Sequence, residues 1–291
     1  MSGNLQDPDQ TREMINNIQD FADEIEGLPL FICIDEEGGR VTRIAKNEAF
    51  QIKNVGPMSE VKNEEDAYEC GYFIGSYLSQ YGFNVDFAHD VDVLSNVDNT
   101  IIGDRSFSDD AEVVSSYGRA YSEGLHANGV MSTFKHFPGH GATRDDTHEG
   151  YAYTDKSYDE MLENELCPFR HAEEYQIDFI MVSHISVPQI IGDNTPCSLS
   201  KEMVTSVLRE EFGYRGIIIT DALNMGAISE KYGSGTAAIE AVKAGVDILL
   251  VPKDFNAAYN SVLSAVDKGE ISEDRIDDSV RRIVMAKMKL V

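Results

Sequence analysis

The chain has 291 residues, 42% apolar and 26% charged, the balance of a globular protein with room for one large α/β core or two ordinary domains. Fifty-one acidic against 24 basic residues leave a formal charge of −27, a field that repels nucleic acid, anionic lipid and polyanionic substrates and points to small, neutral partners. The acids are scattered rather than gathered into a tail, so solubility accounts for their excess. Four cysteines (Cys33, Cys70, Cys167, Cys197) lie far apart with no C-x-x-C pair, which argues against a disulfide framework or a thiolate zinc site and fits a reducing compartment. No run approaches the ~18 apolar residues of a membrane span. The opening Met1-Ser2-Gly3-Asn4-Leu5 lacks the basic and apolar regions of a signal peptide. A cytoplasmic protein with no membrane contact is the expectation.

In chain order, a polar opening leads into a helical pattern over 11–25, and short apolar runs at 28–34 and 83–87 read as the first two strands. Ser108 has the position of a helix N-cap with Asp109 and Asp110 in the first turn, and Asn128-Gly129 ends that helix before a third strand at 130–134. Ser157 and Glu160 have capping-box spacing ahead of Met161, Leu162, Leu166 and Phe169. After a strand at 179–183, Ser200 opens a helix with Met203, Val204, Val207, Leu208 and Phe212 on one face, closed by Gly213. Strands at 217–220 and 246–251 follow. Most of these runs are continuous enough to be buried on both faces, as in a parallel sheet.

Repeated strand–helix units imply a closed barrel or an open doubly wound sheet. Asp35, His136, His184 and Asp221 each stand directly beyond an apolar run or one residue after it, and a barrel gathers such groups into one ring. An open sheet would instead carry a glycine-rich nucleotide loop, and neither G-x-G-x-x-G nor G-x-x-x-x-G-K-[ST] is present. The fold expected is therefore an α/β, (β/α)8-type (TIM) barrel. Six runs stand where eight are needed. With no linker or repeat, residues 1–291 read as a single catalytic domain.

The densest chemistry is Lys135-His136-Phe137-Pro138-Gly139-His140-Gly141, followed by Asp146-Thr147-His148. It places two acid/base groups and a cation after the run at 130–134, in a loop broken by proline and glycine. Gly38, Gly39, Gly139 and Gly141 suit tight backbone turns.

Taken with Ile34-Asp35-Glu36-Glu37-Gly38-Gly39-Arg40-Val41-Thr42-Arg43, Ile102-Gly103-Asp104-Arg105-Ser106-Phe107 and Gly216-Ile217-Ile218-Ile219-Thr220-Asp221-Ala222-Leu223-Asn224-Met225, this motif resembles the family 3 glycoside hydrolases. The similarity is to their bacterial β-N-acetylglucosaminidase (β-hexosaminidase) branch, over nearly the whole chain. It implies a retaining exo-glycosidase that removes terminal β-linked N-acetylglucosamine, with Asp221 as nucleophile and His148, coupled to Asp146, as acid/base. It implies sugar binding by Asp35, Arg43, Arg105, Lys135 and His136, a small carbohydrate as the partner, no cofactor and no metal, and a place in recycling peptidoglycan fragments.

A histidine suits the acid/base role because its ordinary pKa, ~6.5, lets it donate and then recover a proton near neutral pH. The stretch 3–10 resembles the segment just after the family's first strand, so the barrel is expected to lack that strand and to expose a sheet edge through which copies of the chain associate. The helix near Arg281-Arg282 is expected to leave no room for the second domain of larger relatives, and no proline stands shortly after His148. Rival readings are a metal-dependent hydrolase using His136, His140, Asp146, His148 and His184, a phosphorylase or β-glucosidase with the same site, and an inactive sugar-binding barrel.

Overall fold

The computed structural model describes residues 2–145 and 152–290. Asp7 opens helix α1 (Pro8–Glu26): its carboxylate accepts from the N–H groups of Asp9 and Gln10, Pro8 presets the first helical φ, and Gly27 closes the helix at φ 65°. This cap starts the helix ahead of the periodic run expected at 11–25. Strand β1 (Cys33–Ile34), helix α2 (Glu64–Tyr81) and strand β2 (Val85–Asp86) follow.

Helix α2 has no counterpart among the expected elements, because Gly71 and Gly75 interrupt its apolar pattern and lower its propensity. Tertiary packing requires them. A Cβ on Gly71 would stand 2.1 Å from the Tyr121 carbonyl oxygen of helix α3 (Ala111–His126), and one on Gly124 would stand 2.3 Å from that of Tyr68. The two helix backbones therefore touch. The cap of α3 is Asp110, not Ser108: the Asp110 carboxylate accepts from Glu112 and Val113, while the Ser108 hydroxyl is taken by the Asp110 N–H in the turn before the helix.

Strand β3 (Thr133–Phe137) begins later than the expected run at 130–134 and contains Lys135 and His136 rather than ending before them. Charged side chains do not terminate this strand because each finds a buried counter-charge, Glu37 for Lys135 and Asp92 for His136. Short strands β4 (Arg144–Asp145) and β5 (Ala152–Tyr153) pair antiparallel. Helix α4 (Tyr158–Glu163) carries the expected Ser157–Glu160 capping box, but the chain turns at Asn164, so Leu166 and Phe169 fall outside it, Phe169 within helix α5 (Cys167–Arg170).

Strand β6 (Phe179–Val182), helix α6 (Pro188–Ile191), a π-type helix at Glu202–Glu211 and strand β7 (Ile217–Thr220) come next. The π-type helix buries Met203, Val204, Val207 and Leu208 as expected, with Phe212 as its C-cap. Helices α7 (Gly226–Ser229), α8 (Ser234–Ala244), α9 (Phe255–Asp267) and α10 (Glu273–Lys287) complete the chain. Among the described residues no helix is long and apolar enough to cross a membrane.

The strands form an α/β fold with parallel pairing. β1 pairs with β2, β3 with β6 and β6 with β7, all parallel, and single bridges join Val85 to Met131 and Ile219 to Ile248. Successive side chains alternate between two cores. Phe179, Met181, Ile217 and Ile219 join an interior cluster with Val85, Phe87 and Met131, edged by Phe31, Cys33, Ile248 and Leu250. Ile180, Val182 and Ile218 pack into the larger cluster shared with the helices. Six chain segments thus contribute to the interior, among them 246–251, which enters the ladder only through Ile248.

Ala286 of α10, with Ile283 and Leu290, packs on the interior cluster. A polar clasp fixes α10 at the strand starts: the buried Asp247 carboxylate accepts from Arg209 Nη2 at 2.5 Å, Ile218 N at 2.9 Å, Ser279 Oγ at 2.5 Å and Arg282 Nε at 3.1 Å. Removing one partner of such a group leaves the others buried and uncompensated, at a cost of about 3–5 kcal/mol. Asp247→Ala is expected to lower the free energy of unfolding by that amount in urea titration; a loss below about 1 kcal/mol would mean that the clasp is solvated.

Candidate active site

Asp35, Glu36 and Glu37 follow β1 without a break. Glu36 is fully buried and accepts from three successive backbone amides, those of Arg43 (2.5 Å), Ile44 (2.9 Å) and Ala45 (2.8 Å), and from the Tyr77 hydroxyl (3.0 Å). That nest folds the 38–45 loop back over the strand end and brings Arg43 Nη2 within 3.1 Å of Asp35. The turn needs glycine at position 38, where φ is +93° and a Cβ would meet the Gly56 carbonyl oxygen at 2.7 Å.

Glu37 receives Arg105 in a bidentate pair, with Nε and Nη2 each at 2.8 Å, and Lys135 Nζ at 2.5 Å. Burial pushes the Glu37 carboxyl up, yet Lys135 and then Arg105 hold it below the ordinary range. Burial likewise opposes the charge on Lys135, and Glu37 and Asp35 more than restore it. Lys135 Nζ also lies 3.3 Å from Asp35. Asp35, Arg43, Arg105 and Lys135, four of the five expected sugar-binding residues, therefore share one ionic network whose hub is Glu37. The fifth, His136, borders it through its Nε2, 3.5 Å from Arg105.

His136 depends on the segment after β2. Asp92, fully buried, accepts from His136 Nδ1 at 2.7 Å through one oxygen and from the His140 amide at 2.5 Å through the other. Burial disfavours charge on both members of this pair, and their mutual attraction prevails: Asp92 is held low and His136 is raised above its ordinary value. Asp90, 3.3 Å from Arg105, is pushed up by burial and by Asp92.

Asp90, Asp92 and His136 are the one group among the described residues that brings metal-type ligands together, with ligand atoms within 4.8 Å of one another. Asp92 is already committed to His136 and His140, whereas Asp90 accepts from the Asp92 amide through Oδ1 and its Oδ2 faces Arg105 Nε at 3.3 Å without a hydrogen bond. Of the ligands expected for a metal hydrolase, His184 is engaged elsewhere, its ring nitrogens 2.7 Å from Ser198 Oγ and 3.1 Å from the Ala222 carbonyl oxygen, and Asp146 and His148 lie outside the described residues.

Asp221 follows β7 directly. Its backbone N–H donates to Val182 of β6 at 2.8 Å, and its Oδ1 accepts from the Ala222 N–H at 2.7 Å. Burial works against its charge, but His136, helped by the Ala222 amide and Lys135, holds the carboxyl below the usual range. Asp221 is thereby an ionised carboxylate under the electrostatic influence of the Lys135–His136 pair. Asp146 and His148 lie outside the described residues, between β4 and β5.

Glu36, Glu37, Asp90 and Asp92 carry the site and escape the sequence reading. The signal available for them was two carboxylates immediately after a buried strand, and an Asp-x-Asp just past the next one.

The arrangement defines a class of protein: an α/β fold with cationic donors, an accepting carboxylate and a separate ionised aspartate at the carboxyl ends of parallel strands. Residues 1–286 match the glycosyl hydrolase family 3 N-terminal domain, and the chain belongs to that family.

It is 34% identical to "Beta-hexosaminidase A" of Pseudoalteromonas piscicida, over 99% of this chain and 52% of that protein, and 35% identical to "Beta-hexosaminidase LpqI" of Mycobacterium tuberculosis, over 89% and 68%. Among solved structures, a family 3 β-N-acetylglucosaminidase from Paenibacillus sp. superposes with a TM-score of 0.92 at 37% identity, covering 100% of this chain and 56% of the other. The β-N-acetylglucosaminidase of Thermotoga maritima does so with 0.83 at 26% identity, covering 98% and 60%. The chain thus spans about half the length of the first of these relatives.

Two outcomes test the electrostatics. In Asp92→Asn the counter-charge of His136 is gone, so the imidazole should titrate lower than in the wild type by NMR; an unchanged titration would remove the ion pair. Glu37 is the depressed-carboxylate case: its stabilisation is complete above the ordinary pKa of ~4.3 and is lost as the pH falls through the lower folded value. The stability gap between the wild type and Glu37→Gln, measured by denaturant titration, should be widest above pH ~5 and narrow below pH ~4.

Proposed function

We propose that the chain is the catalytic part of a retaining exo-glycosidase that hydrolyses terminal β-linked N-acetylglucosamine, on a (β/α)8-type barrel forming a single domain. The observation that carries this reading is the position of Asp221, an ionised carboxylate ending a fully buried strand, beside a cluster of donors suited to a polyhydroxylated ring. The names of the relatives add the substrate class.

In the first step the Asp221 carboxylate attacks the anomeric carbon, the glycosidic bond breaks, and the departing oxygen takes a proton from His148. In the second, His148 removes a proton from water, the water oxygen attacks the anomeric carbon, and Asp221 leaves as carboxylate. Asp146 accepts a hydrogen bond from the other imidazole N–H, which orients the ring and stabilises its cationic form. Arg43, Arg105 and Lys135 donate to hydroxyl and amide oxygens, and Asp35 accepts from hydroxyls. His136, whose protonated form Asp92 favours, borders this cluster and in that form supports the charge of Asp221. Small cell-wall fragments fit a site on a strongly acidic protein, since peptidoglycan sugars offer uncharged amide and hydroxyl groups to these residues.

Asp221→Ala should lower kcat/KM on every substrate by at least ~10⁴-fold, as loss of a nucleophile does. His148→Ala should lose about 10²- to 10⁴-fold on a methyl glycoside and under ~10-fold on a dinitrophenyl glycoside, because only the poor leaving group needs a proton. Equal losses on both would take the acid role from His148. Proton NMR should show the β-anomer as the first product; an α-anomer would overturn retention. An aryl N-acetylglucosaminide should outrun the matching glucoside, and phosphate should leave the product unchanged. A faster glucoside, a sugar phosphate product or no turnover would favour the β-glucosidase, phosphorylase or binding-module readings in turn.

A further inference from the structure

His184 stands two residues beyond β6, is 4% exposed, and has no part in the mechanism above. Its ring nitrogens have partners that settle its protonation. A carbonyl oxygen only accepts, so Nε2, at 3.1 Å from the Ala222 oxygen, carries the proton and donates. Nδ1 is then bare and accepts from the Ser198 hydroxyl at 2.7 Å. Ser198 is itself fully buried and donates its N–H to the Ser183 carbonyl at 3.1 Å. Burial lowers the His184 pKa, which keeps the ring neutral in this pattern.

The partner of this donor is the peptide that follows the nucleophile. Asp221 N–H is tied to Val182 at 2.8 Å, and Leu223 N–H to the Leu250 carbonyl at 2.9 Å. The Ala222 carbonyl, between those two ties, accepts both from His184 and from the Met225 N–H at 3.0 Å, so that His184 ties the turn from β6 while Met225 ties it from within its own segment. The Ala222 N–H occupies Asp221 Oδ1 at 2.7 Å, and Oδ2 has no hydrogen-bond donor among the described residues. The turn thus commits one oxygen of the carboxylate and leaves the other for attack.

We propose that His184, with its tautomer set by Ser198, is a positioning residue: its Nε2–H···O=C bond to Ala222 fixes the Asp221–Ala222 turn so that the free carboxylate oxygen of Asp221 meets the anomeric carbon. This rests on the reading of Asp221 as nucleophile and deepens it. A glutamine at 184 offers an amide donor at a similar reach, whereas phenylalanine keeps the ring volume and removes the donor.

The experiment uses the full chain and a 5-fluoro-N-acetylglucosaminyl fluoride, which labels a carboxylate nucleophile covalently. The labelling rate is followed by mass spectrometry, beside kcat and KM on an aryl N-acetylglucosaminide and a thermal melt. Displacement of a reacting group by about 1 Å costs on the order of 10²-fold. His184→Phe should therefore slow both labelling and kcat about 30- to 300-fold with KM changed less than about 3-fold, and His184→Gln should recover most of that loss.

Wild-type labelling in a folded His184→Phe protein would overturn the proposal, as would a glutamine variant no better than the phenylalanine one. If His184→Phe does not fold, Ser198→Ala decides: a loss of about 3- to 10-fold in labelling rate supports the tautomer lock, and a wild-type rate overturns it. Failure of the wild type to label at Asp221 would sink the glycosidase reading itself, a result distinct from any of these.

Discussion

The Glu37 carboxylate is buried to 2% exposure with two cations against it, and the geometry of the site hangs on that triplet. Taken out of water separately, each of the three charges would carry a desolvation penalty of several kcal/mol. Together they satisfy one another through two parallel Arg105 bonds and one from Lys135. Because Glu37 follows β1, Arg105 follows β2 and Lys135 lies in β3, three adjacent parts of the sheet cannot slide past each other without stranding a buried charge. Preorganisation of the groups proposed to bind sugar is the consequence: Arg105 and Lys135 are fixed in place by Glu37.

The same device recurs through the molecule. Asp92 anchors His136 and the His140 turn, Glu36 gathers the amides of the 43–45 loop, and at the opposite ends of the strands Asp247 ties Arg209 and Arg282 while Asp178 binds His126 and Lys289. A chain with 51 acids and 24 bases spends a share of its few cations on buried acids at the two ends of an apolar interior. The surplus of negative charge is left to the surface, where it favours solubility. The proposed site lies at one end of the strands, and helix α10 packs on the interior cluster at the other.

Legibility varied by how local the cause was. The Ser157–Glu160 capping box and the strand Ile217–Thr220 ending at Asp221 were readable because their causes lie within a few residues. Ser108 has the look of a cap but stands in the turn before the helix, because the helix begins two residues later and Asp110 takes its first amides, those of Glu112 and Val113, with a charged acceptor. Helix α2 was hidden by glycines whose purpose is contact with α3. His184 was visible as a polar residue past a strand, but its neutral tautomer follows from Ser198 and Ala222, which no spacing rule connects to it.

From its order of residues alone, the chain determines an alternation of buried strands and capped helices and the placing of Asp35, His184 and Asp221 just past the strands, since burial and capping act over a few neighbouring residues. Only the tertiary structure decides which carboxylates are reagents and which are anchors. Arg105 reaches Glu37 across 68 residues and Lys135 reaches Asp35 across 100, and whether a buried charge is stable depends on the distance to its partner in space, which the folded chain alone supplies.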